Sequence, residues 1–315
     1  MAAASRRRSK RSKADQLGGA LITGGFGFAG RHLVDLLCAQ GVETLAPPRK
    51  EVDFADEARV RRLVRETAPG AVFHLAAFSS ATLSWKRPSE AVLGNMRMTL
   101  SVLEAVRLEQ PDARLVLVGS GQVYGEPGAM PVSEDAPLCP ANPYAASKAS
   151  CDLLGLQYAE AFGLQIARMR PFNHAGPGQS EDYVVSSLAR QVAEAEVGGS
   201  AECVVRTGNP ESARDFTDVR DVVRAYAMAA EAGSGPFNVC SGKAVSVATL
   251  VEMLGAHSRV PIKHEIASAR LRDHDASVLY GSHERLTAAC GWEPKIPLET
   301  TVRDTIDWWR TRVGA

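Results

Sequence analysis

The chain places a tyrosine and a lysine four residues apart, at Tyr144 and Lys148, in the segment Pro143-Tyr144-Ala145-Ala146-Ser147-Lys148. This segment has a helical pattern, and residues four apart stack on one face of a helix. A free tyrosine has a pKa near ~10, and a neighbouring ammonium group lowers it. Such a tyrosine can exchange a proton with an alcohol or a carbonyl oxygen. Many surface helices contain the same spacing, so its meaning depends on the residues that accompany it.

A serine precedes this pair in the segment Val118-Gly119-Ser120-Gly121-Gln122-Val123-Tyr124-Gly125. A hydroxyl at the end of a strand can hydrogen-bond a substrate oxygen and hold it against the tyrosine. Taken by itself, Ser120 is equally consistent with a turn serine. Together, Ser120, Tyr144 and Lys148 indicate chemistry at a carbonyl or an alcohol.

A glycine-rich turn lies near the start of the chain. The apolar run Ala20-Leu21-Ile22 leads into Thr23-Gly24-Gly25-Phe26-Gly27-Phe28-Ala29-Gly30, and a helical pattern follows. Gly24 suits the sharp turn, Gly27 allows the backbone to approach a pyrophosphate, and Gly30 allows close packing of helix on strand. The free N–H groups at the helix start would face the phosphates, so this segment predicts a dinucleotide site.

The elements that must position these residues alternate along the chain, which predicts an α/β fold with a Rossmann-type, doubly wound parallel sheet. The predicted strands are 19–23, 42–46, 71–75, 114–119 and 164–169. The predicted helices are 28–40, 56–67, 88–109, 144–162 and 181–197. We expect residues 18–172 to form the dinucleotide-binding domain, to which 215–240 return, and 173–214 with 241–315 to form a smaller substrate-binding lobe. Gly24, His74, Ser120 and Asn173 follow strand ends, where ligands bind in open α/β sheets.

Composition excludes several classes of function. The fractions of charged residues, 23%, and apolar residues, 45%, are those of an ordinary soluble protein. The six cysteines and seven histidines are scattered, so we expect reduced thiols, no metal site and a cytoplasmic protein. We find neither a secretory signal nor an apolar segment long enough to span a membrane.

The charge is uneven, because six of the 36 basic residues precede the first acid, Asp15. We interpret residues 1–17 as a basic disordered tail and expect no nucleic-acid partner. A nuclear signal or a nucleic-acid-binding arm is the alternative.

With the glycine-rich loop, the set of Ser120, Tyr144 and Lys148 resembles the catalytic triad of extended short-chain dehydrogenases/reductases, the superfamily of NAD-dependent epimerases and dehydratases. The resemblance also covers His74-Leu75-Ala76-Ala77 and Arg170-Pro171-Phe172-Asn173 and extends over nearly the whole chain from about residue 18. More selective stretches are similar to the GDP-4-keto-6-deoxy-D-mannose reductases, which form GDP-D-rhamnose, and to the related GDP-mannose 4,6-dehydratases. These stretches are 170–180, Arg214 to Asp221, Asn238 to Gly242 and Gly291 to Pro294.

The resemblance implies a role for each matching residue. The catalytic residues would be Ser120, Tyr144 and Lys148. The cofactor would be bound by Gly24, Phe26, Gly27, Phe28, Gly30, Arg49, Asp53, Phe54, Leu75, Ala76, Ala77, Tyr144, Lys148 and Pro171. A GDP-sugar would be bound by Ser79, Ser80, Gln122, Asn173, Val184, Arg214, Arg272 and Asp275. Among these, the two arginines would contact the diphosphate and Asp275 the ribose hydroxyls, although each is also consistent with an ordinary surface charge.

Gln122 bears on the choice between reductase and dehydratase. Dehydratases of this kind carry a glutamate at this position, and an amide cannot act as a general base. The sequence therefore favours reduction of a 4-keto sugar at C4. The alternatives are a GDP-mannose 4,6-dehydratase, another nucleotide-sugar epimerase or 4-reductase such as one that forms GDP-6-deoxy-talose, and a non-catalytic regulator on the same fold.

The predicted cofactor is NADP(H), with NAD(H) as the alternative. The second predicted strand is followed by Arg49 and Lys50, and an acid that would bind the adenosine 2′-hydroxyl is missing until Glu51. A basic pair suits a 2′-phosphate, although both residues also fit ordinary loop charges. The resemblance further implies a homodimer formed through helices 88–109 and 144–162.

Overall fold

A computed structural model of the chain describes residues 17–267 and 278–314. Within these ranges, a six-stranded sheet forms the centre of the molecule. Its strands are β1 (Ala20–Thr23), β2 (Thr44–Leu45), β3 (Ala71–His74), β4 (Arg114–Val118), β5 (Ile166–Pro171) and β9 (Gly235–Val239). The order is β2-β1-β3-β4-β5-β9 and every pairing is parallel. Because the strand order reverses next to β1, a crevice is expected beyond the carboxyl ends of β1 and β3.

Helices cover both faces of this sheet, since its strands are apolar on both sides. On one face, Ile22 and Phe73 are buried under α1 (Phe28–Ala39) and α7 (Val219–Ala232). On the other face, Leu21 and Leu115 are buried under a second set of helices. These are α2 (Glu57–Thr67), α4 (Pro88–Glu109) and α5 (Pro143–Phe162), and the short α3 (Ala81–Lys86) precedes α4. This is the doubly wound α/β architecture that the sequence predicts.

The later part of the chain builds a second core around Phe216, Leu188 and Ile306. Its strands are β6 (Asn173–Ala175), β7 (Cys203–Thr207), β8 (Ala213–Asp218), β10 (Ala244–Ser246), β11 (Ile262–Ile266) and β12 (Val278–Leu279). Its helices are α6 (Val184–Val197), α8 (Val247–His257) and α10 (Leu298–Val313), while α9 (Glu284–Cys290) returns to the first core. β8 is parallel to β6 and β12 and antiparallel to β10. The domain boundaries at 172, 215 and 240 stay predictions.

Several elements differ from the sequence-based expectation, and three of the differences have a physical reason. β5 extends to Pro171 rather than ending at 169, because β9 pairs with Arg170 and Pro171. α6 begins at Val184 rather than 181, because Ser180 closes a turn by accepting from the backbone N–H of Tyr183 at 3.2 Å. α3 was not predicted, since it has only 6 residues.

Some predictions fall on residues outside the described ranges. These are the basic tail as far as residue 16 and the two proposed substrate contacts Arg272 and Asp275. Among the helices that the structure does describe, none is both long enough and apolar enough to cross a membrane.

Candidate active site

The glycine-rich turn forms a tight cradle between β1 and α1. Gly24 has a φ of +73°, and a Cβ there would lie 2.7 Å from the backbone N of Ala76. A Cβ on Gly30 would lie 2.2 Å from the carbonyl oxygen of Gly24. Gly27 is the N-cap of α1 and has no side chain with which to cap its N–H groups. These features fit the pyrophosphate of a dinucleotide, which such a helix start binds through its N–H groups and dipole.

Tyr144 and Lys148 lie on α5, which packs against the end of β4. The Tyr144 hydroxyl lies near enough to the Ser120 side chain for the serine hydroxyl to lower the pKa of the tyrosine. One helical turn later, the Lys148 ammonium donates to the carbonyl oxygen of Val118 at 2.7 Å. The structure therefore brings together the three residues that the sequence predicts as catalytic.

Burial governs the ionisation of this pair. It raises the pKa of Tyr144 to about 12, against which the Ser120 hydroxyl acts. Burial also lowers the pKa of Lys148. The sequence-based expectation was that Lys148 lowers the pKa of the tyrosine, but the lysine is not among the groups that shift it in this structure. At neutral pH Tyr144 is consequently protonated and can donate a proton.

The catalytic helix α5 starts at a well-defined cap. Asn142 accepts from the backbone N–H of Ala145 at 2.8 Å, and Pro143 occupies the first turn. The Asn142 side chain also donates to Oε1 of Gln122 at 3.3 Å. Gln122 is thus tied to the start of the helix that carries Tyr144.

A buried polar chain runs behind the cradle and was not predicted. The Ala76 N–H donates to Thr23 Oγ1 at 3.0 Å, and Thr23 Oγ1 lies 2.8 Å from Nδ1 of His74. On the other side of the ring, Nε2 lies 3.2 Å from Thr99 Oγ1, which donates to Cys151 Sγ at 3.2 Å. Since each hydroxyl has one proton, these contacts place the ring proton of His74 on Nε2. The chain links β1, β3, α4 and α5 around the predicted cofactor segment 75–77.

Asn95, a buried polar residue outside the predicted set, holds the segment that leads to two of the predicted substrate contacts. Asn95 accepts from the backbone N–H of Phe78 at 2.7 Å and donates to its carbonyl at 3.2 Å, which holds the loop before Ser79 and Ser80. Ser80 caps α3 by accepting from the Leu83 N–H at 3.1 Å. Asn95 and Thr99 place two polar side chains one turn apart on the buried face of α4, and this spacing is the signal that could have identified them.

Asp152 anchors α5 to β5. It accepts from Arg168 at 2.6 Å and from two nitrogens of Arg170 at 2.9 Å each, and all three side chains are buried. Asp152 follows Tyr144 and Lys148 at the same four-residue spacing, so the sequence pattern could have placed it on their face of the helix.

The predicted substrate contacts Asn173, Val184 and Arg214 lie on three different elements of the structure. Asn173 begins β6 directly after the end of β5, and Val184 begins α6 on the far side of the intervening loop. Arg214, on β8, donates to Ser212 Oγ and to the carbonyl oxygen of Ala213, both at 3.0 Å. These three residues stay predicted ligands.

The predicted adenosine contacts lie around the end of β2. Gly25 packs against Ala46, because a Cβ on this glycine would lie 2.5 Å from the Ala46 Cβ. Arg49 and Asp53 are exposed, and Asp53 accepts from the Ala55 N–H at 3.0 Å. Phe54 is buried in the core and Phe26 is 60% exposed. Arg49, Asp53 and Phe26 are therefore accessible to a ligand, while Phe54 packs into the core beneath the helices and anchors this loop.

Comparison with known proteins agrees with this geometry. Residues 44–305 match the protein-family model described as GDP-mannose 4,6 dehydratase. The GDP-6-deoxy-D-mannose reductase of Pseudomonas aeruginosa is 33% identical over 93% of this chain and 97% of its own length. The UDP-glucose 4-epimerase of Halalkalibacterium halodurans is 30% identical over 91% of this chain and 94% of its own length.

Solved structures show the same fold. The structure of the Pseudomonas aeruginosa RMD protein complexed with NADPH superimposes with a TM-score of 0.81 at 31% identity, covering 93% of this chain and 99% of that one. The UDP-glucose 4-epimerase of Thermus thermophilus in complex with NAD gives a TM-score of 0.80 at 29% identity, covering 92% and 98%. The resemblance and the fold predicted from the sequence are thus confirmed, and the chain belongs to the GDP-mannose 4,6-dehydratase family within the extended short-chain dehydrogenases/reductases.

Proposed function

We propose that this protein reduces the C4 keto group of GDP-4-keto-6-deoxy-D-mannose to give GDP-D-rhamnose. The observation that carries the proposal is the site at the end of β4, where a protonated Tyr144 meets Ser120 with Lys148 one turn behind. The reductase from Pseudomonas aeruginosa, 33% identical over almost its full length, supports the same assignment.

Each catalytic residue has a separate role in the proposed reaction. The bound nicotinamide would supply a hydride to C4. Tyr144 donates its hydroxyl proton to the oxygen at C4, so that the carbonyl becomes an alcohol. Ser120 holds that oxygen in line with the tyrosine. Lys148, one turn later on the same helix face, would hold the ribose of the nicotinamide.

NADPH is the proposed reductant. Arg49 and Lys50 follow β2, are exposed, and provide two cations where the sequence lacks an acid until Glu51. A 2′-phosphate on the adenosine ribose would be neutralised there, whereas the 2′-hydroxyl of NADH would leave both cations without a partner. The structure of the Pseudomonas aeruginosa relative with NADPH is consistent with this preference.

Gln122 argues against the main alternative, a 4,6-dehydratase. Elimination of water from the sugar needs a base to remove a proton from C5, and a carboxamide cannot serve. The Gln122 oxygen is in addition occupied by Asn142 at 3.3 Å.

We further propose that the protein acts in the cytoplasm as a homodimer through α4 and α5. Leu93 on α4 and Leu153 on α5 are each 54% exposed, and the two helices pack side by side. Exposed leucines on adjacent helices favour burial against a second copy. Light scattering of the wild type and of the Leu93→Glu, Leu153→Glu double variant would test this, and a monomeric wild type would contradict it.

The decisive experiment supplies purified protein with GDP-4-keto-6-deoxy-D-mannose and either NADPH or NADH. We expect stoichiometric oxidation of NADPH, faster than of NADH, and a product that NMR identifies as GDP-D-rhamnose. Tyr144→Phe should abolish turnover while retaining cofactor binding. A talose product would overturn the stereochemical assignment. If neither cofactor is oxidised, the reductase proposal is wrong, and GDP-mannose should then be tried as a substrate for dehydration.

A further inference from the structure

Three aromatic rings join the cofactor cradle to the substrate-binding lobe. The rings of Phe28 and His174 stack in parallel, with centroids 5.8 Å apart and an angle of 2° between their planes. The ring of His32 meets Phe28 edge-on, at 5.7 Å and 89°. We call Phe28, His32 and His174 the aromatic clamp.

Hydrogen bonds hold the lobe side of the clamp in one conformation. Nδ1 of His174 lies 3.2 Å from the carbonyl oxygen of Phe172, and a carbonyl can only accept, so the ring proton is on Nδ1. Gln179 donates to the carbonyl oxygen of His174 at 2.7 Å. His32 reaches across from α1 and donates through Nε2 to the carbonyl oxygen of Pro177 at 2.9 Å. The segment 173–179, which begins with β6, is therefore attached to α1 both by ring stacking and by a hydrogen bond.

The positions of the clamp residues give this attachment a functional meaning. Phe28 is the first residue of α1, directly after the N-cap Gly27 at which the cofactor pyrophosphate would bind. His174 follows Asn173, the predicted contact to the sugar nucleotide, in β6. A shift of the first turn of α1 would move the stacked ring of His174 and, with it, Asn173.

We propose that His174 is a positioning residue through which cofactor binding and sugar-nucleotide binding strengthen each other. The inference rests on the proposed function, since it takes the cradle as the cofactor site and Asn173 as a substrate contact. Cofactor bound at the N-cap of α1 would favour the arrangement in which Phe28 stacks on His174 and Asn173 is in place, so the second ligand would meet a site that is already arranged. Linkage requires that each ligand then raises the affinity for the other by the same factor.

The size of the effect follows from the clamp itself. A stacked aromatic pair contributes a factor of about 2 to 12 in an equilibrium constant. We expect saturating NADP⁺ to tighten GDP binding to the wild type by a factor in this range, and saturating GDP to tighten NADP⁺ binding equally. In His174→Leu the factor should fall to about 1, while the affinity for NADP⁺ alone changes by less than about twofold.

Isothermal titration calorimetry with GDP and NADP⁺ as probes tests the proposal without any turnover. His174→Phe keeps a ring against Phe28 and should retain the coupling, and His257→Leu, in the lobe at the end of α8, is the matched control that should behave as the wild type. If His174→Leu does not fold, His32→Ala removes the edge-on ring and the bond to Pro177 from the cofactor side and should reduce the factor.

The possible outcomes distinguish failure of the coupling proposal from failure of the proposed function. Binding of both probes with a coupling factor of 1 in the wild type would overturn the clamp and leave the proposed function intact. The same holds if His174→Leu retains the full wild-type factor. Failure of the wild type to bind either probe would overturn the proposed function itself.

Discussion

Lowering the pH should reduce the free energy of unfolding through His74, which lies at the centre of the polar chain behind the cradle. The residue is 3% exposed. Burial, and then the positive charge of Lys148, lower its pKa from 6.5 to about 3. As the pH falls below about 6.5, the unfolded chain binds a proton at this position and the folded protein does not. At about pH 5 the difference is roughly 1.5 pH units, which corresponds to about 2 kcal/mol of unfolding free energy lost relative to neutral pH.

Urea unfolding, followed by circular dichroism at fixed protein concentration near pH 7.5 and near pH 5, measures this loss. Burial lowers the pKa of His174 as well, so the loss in the wild type alone does not isolate His74. The contribution of His74 is therefore taken as the difference between the losses of the wild type and of a variant. We expect the pH-dependent loss to be smaller in His74→Gln than in the wild type by about 2 kcal/mol. Thr99→Val is the matched control, since it removes the partner of Nε2 but keeps the titrating ring, so most of the loss should remain. Equal losses in the wild type and His74→Gln would refute the assignment.

Three further predictions concern other parts of the site. Because the pKa of Tyr144 is about 12, the rate of reduction should stay level up to about pH 10, whereas a tyrosine that titrates near neutrality would show a rate that falls from about pH 7 upward. Asp152→Ala leaves two buried guanidinium groups without a carboxylate and should cost about 3–5 kcal/mol in urea unfolding. By contrast, Arg61→Ala, at the partly exposed ion pair that Arg61 forms with Glu109, should cost less than about 1 kcal/mol. Gly30→Ala should abolish NADP⁺ binding in calorimetry and lower the melting temperature, because its Cβ would lie 2.2 Å from a backbone oxygen; binding at wild-type affinity would show that the cradle has room for it.

The sequence was sufficient for features that depend on neighbouring residues. The turn around Gly24 and Gly30 is read from a run of glycines between an apolar strand and a helical pattern. The shared face of Tyr144 and Lys148 follows from helical geometry alone. The placement of Ser120 beside them follows from the rule that ligand-binding residues gather at the carboxyl ends of parallel strands.

The sequence was not sufficient for contacts that depend on strand order and on the docking of distant segments. His32 meets the carbonyl of Pro177 across 145 positions of the chain, and neither residue carries a local signal of the contact. The chain through His74 likewise needs β1 beside β3 and α4 beside α5 before its hydroxyls meet the ring. The ionisation of Tyr144 was misjudged for a similar reason, because spacing shows that a lysine is near but not how far the surrounding protein withdraws each group from water.

That ionisation bears on the direction of the chemistry. Epimerases and dehydratases of sugar nucleotides begin by oxidising an alcohol, and this step needs a base to remove its proton, whereas reduction of a ketone needs an acid. In this structure Tyr144 is held protonated by burial, and Lys148 directs its ammonium to Val118 at 2.7 Å. Gln122, where a dehydratase would have a carboxylate, also lacks a basic form. The residue type at Gln122 therefore favours reduction over dehydration, and the protonated Tyr144 provides the acid that reduction of a ketone needs.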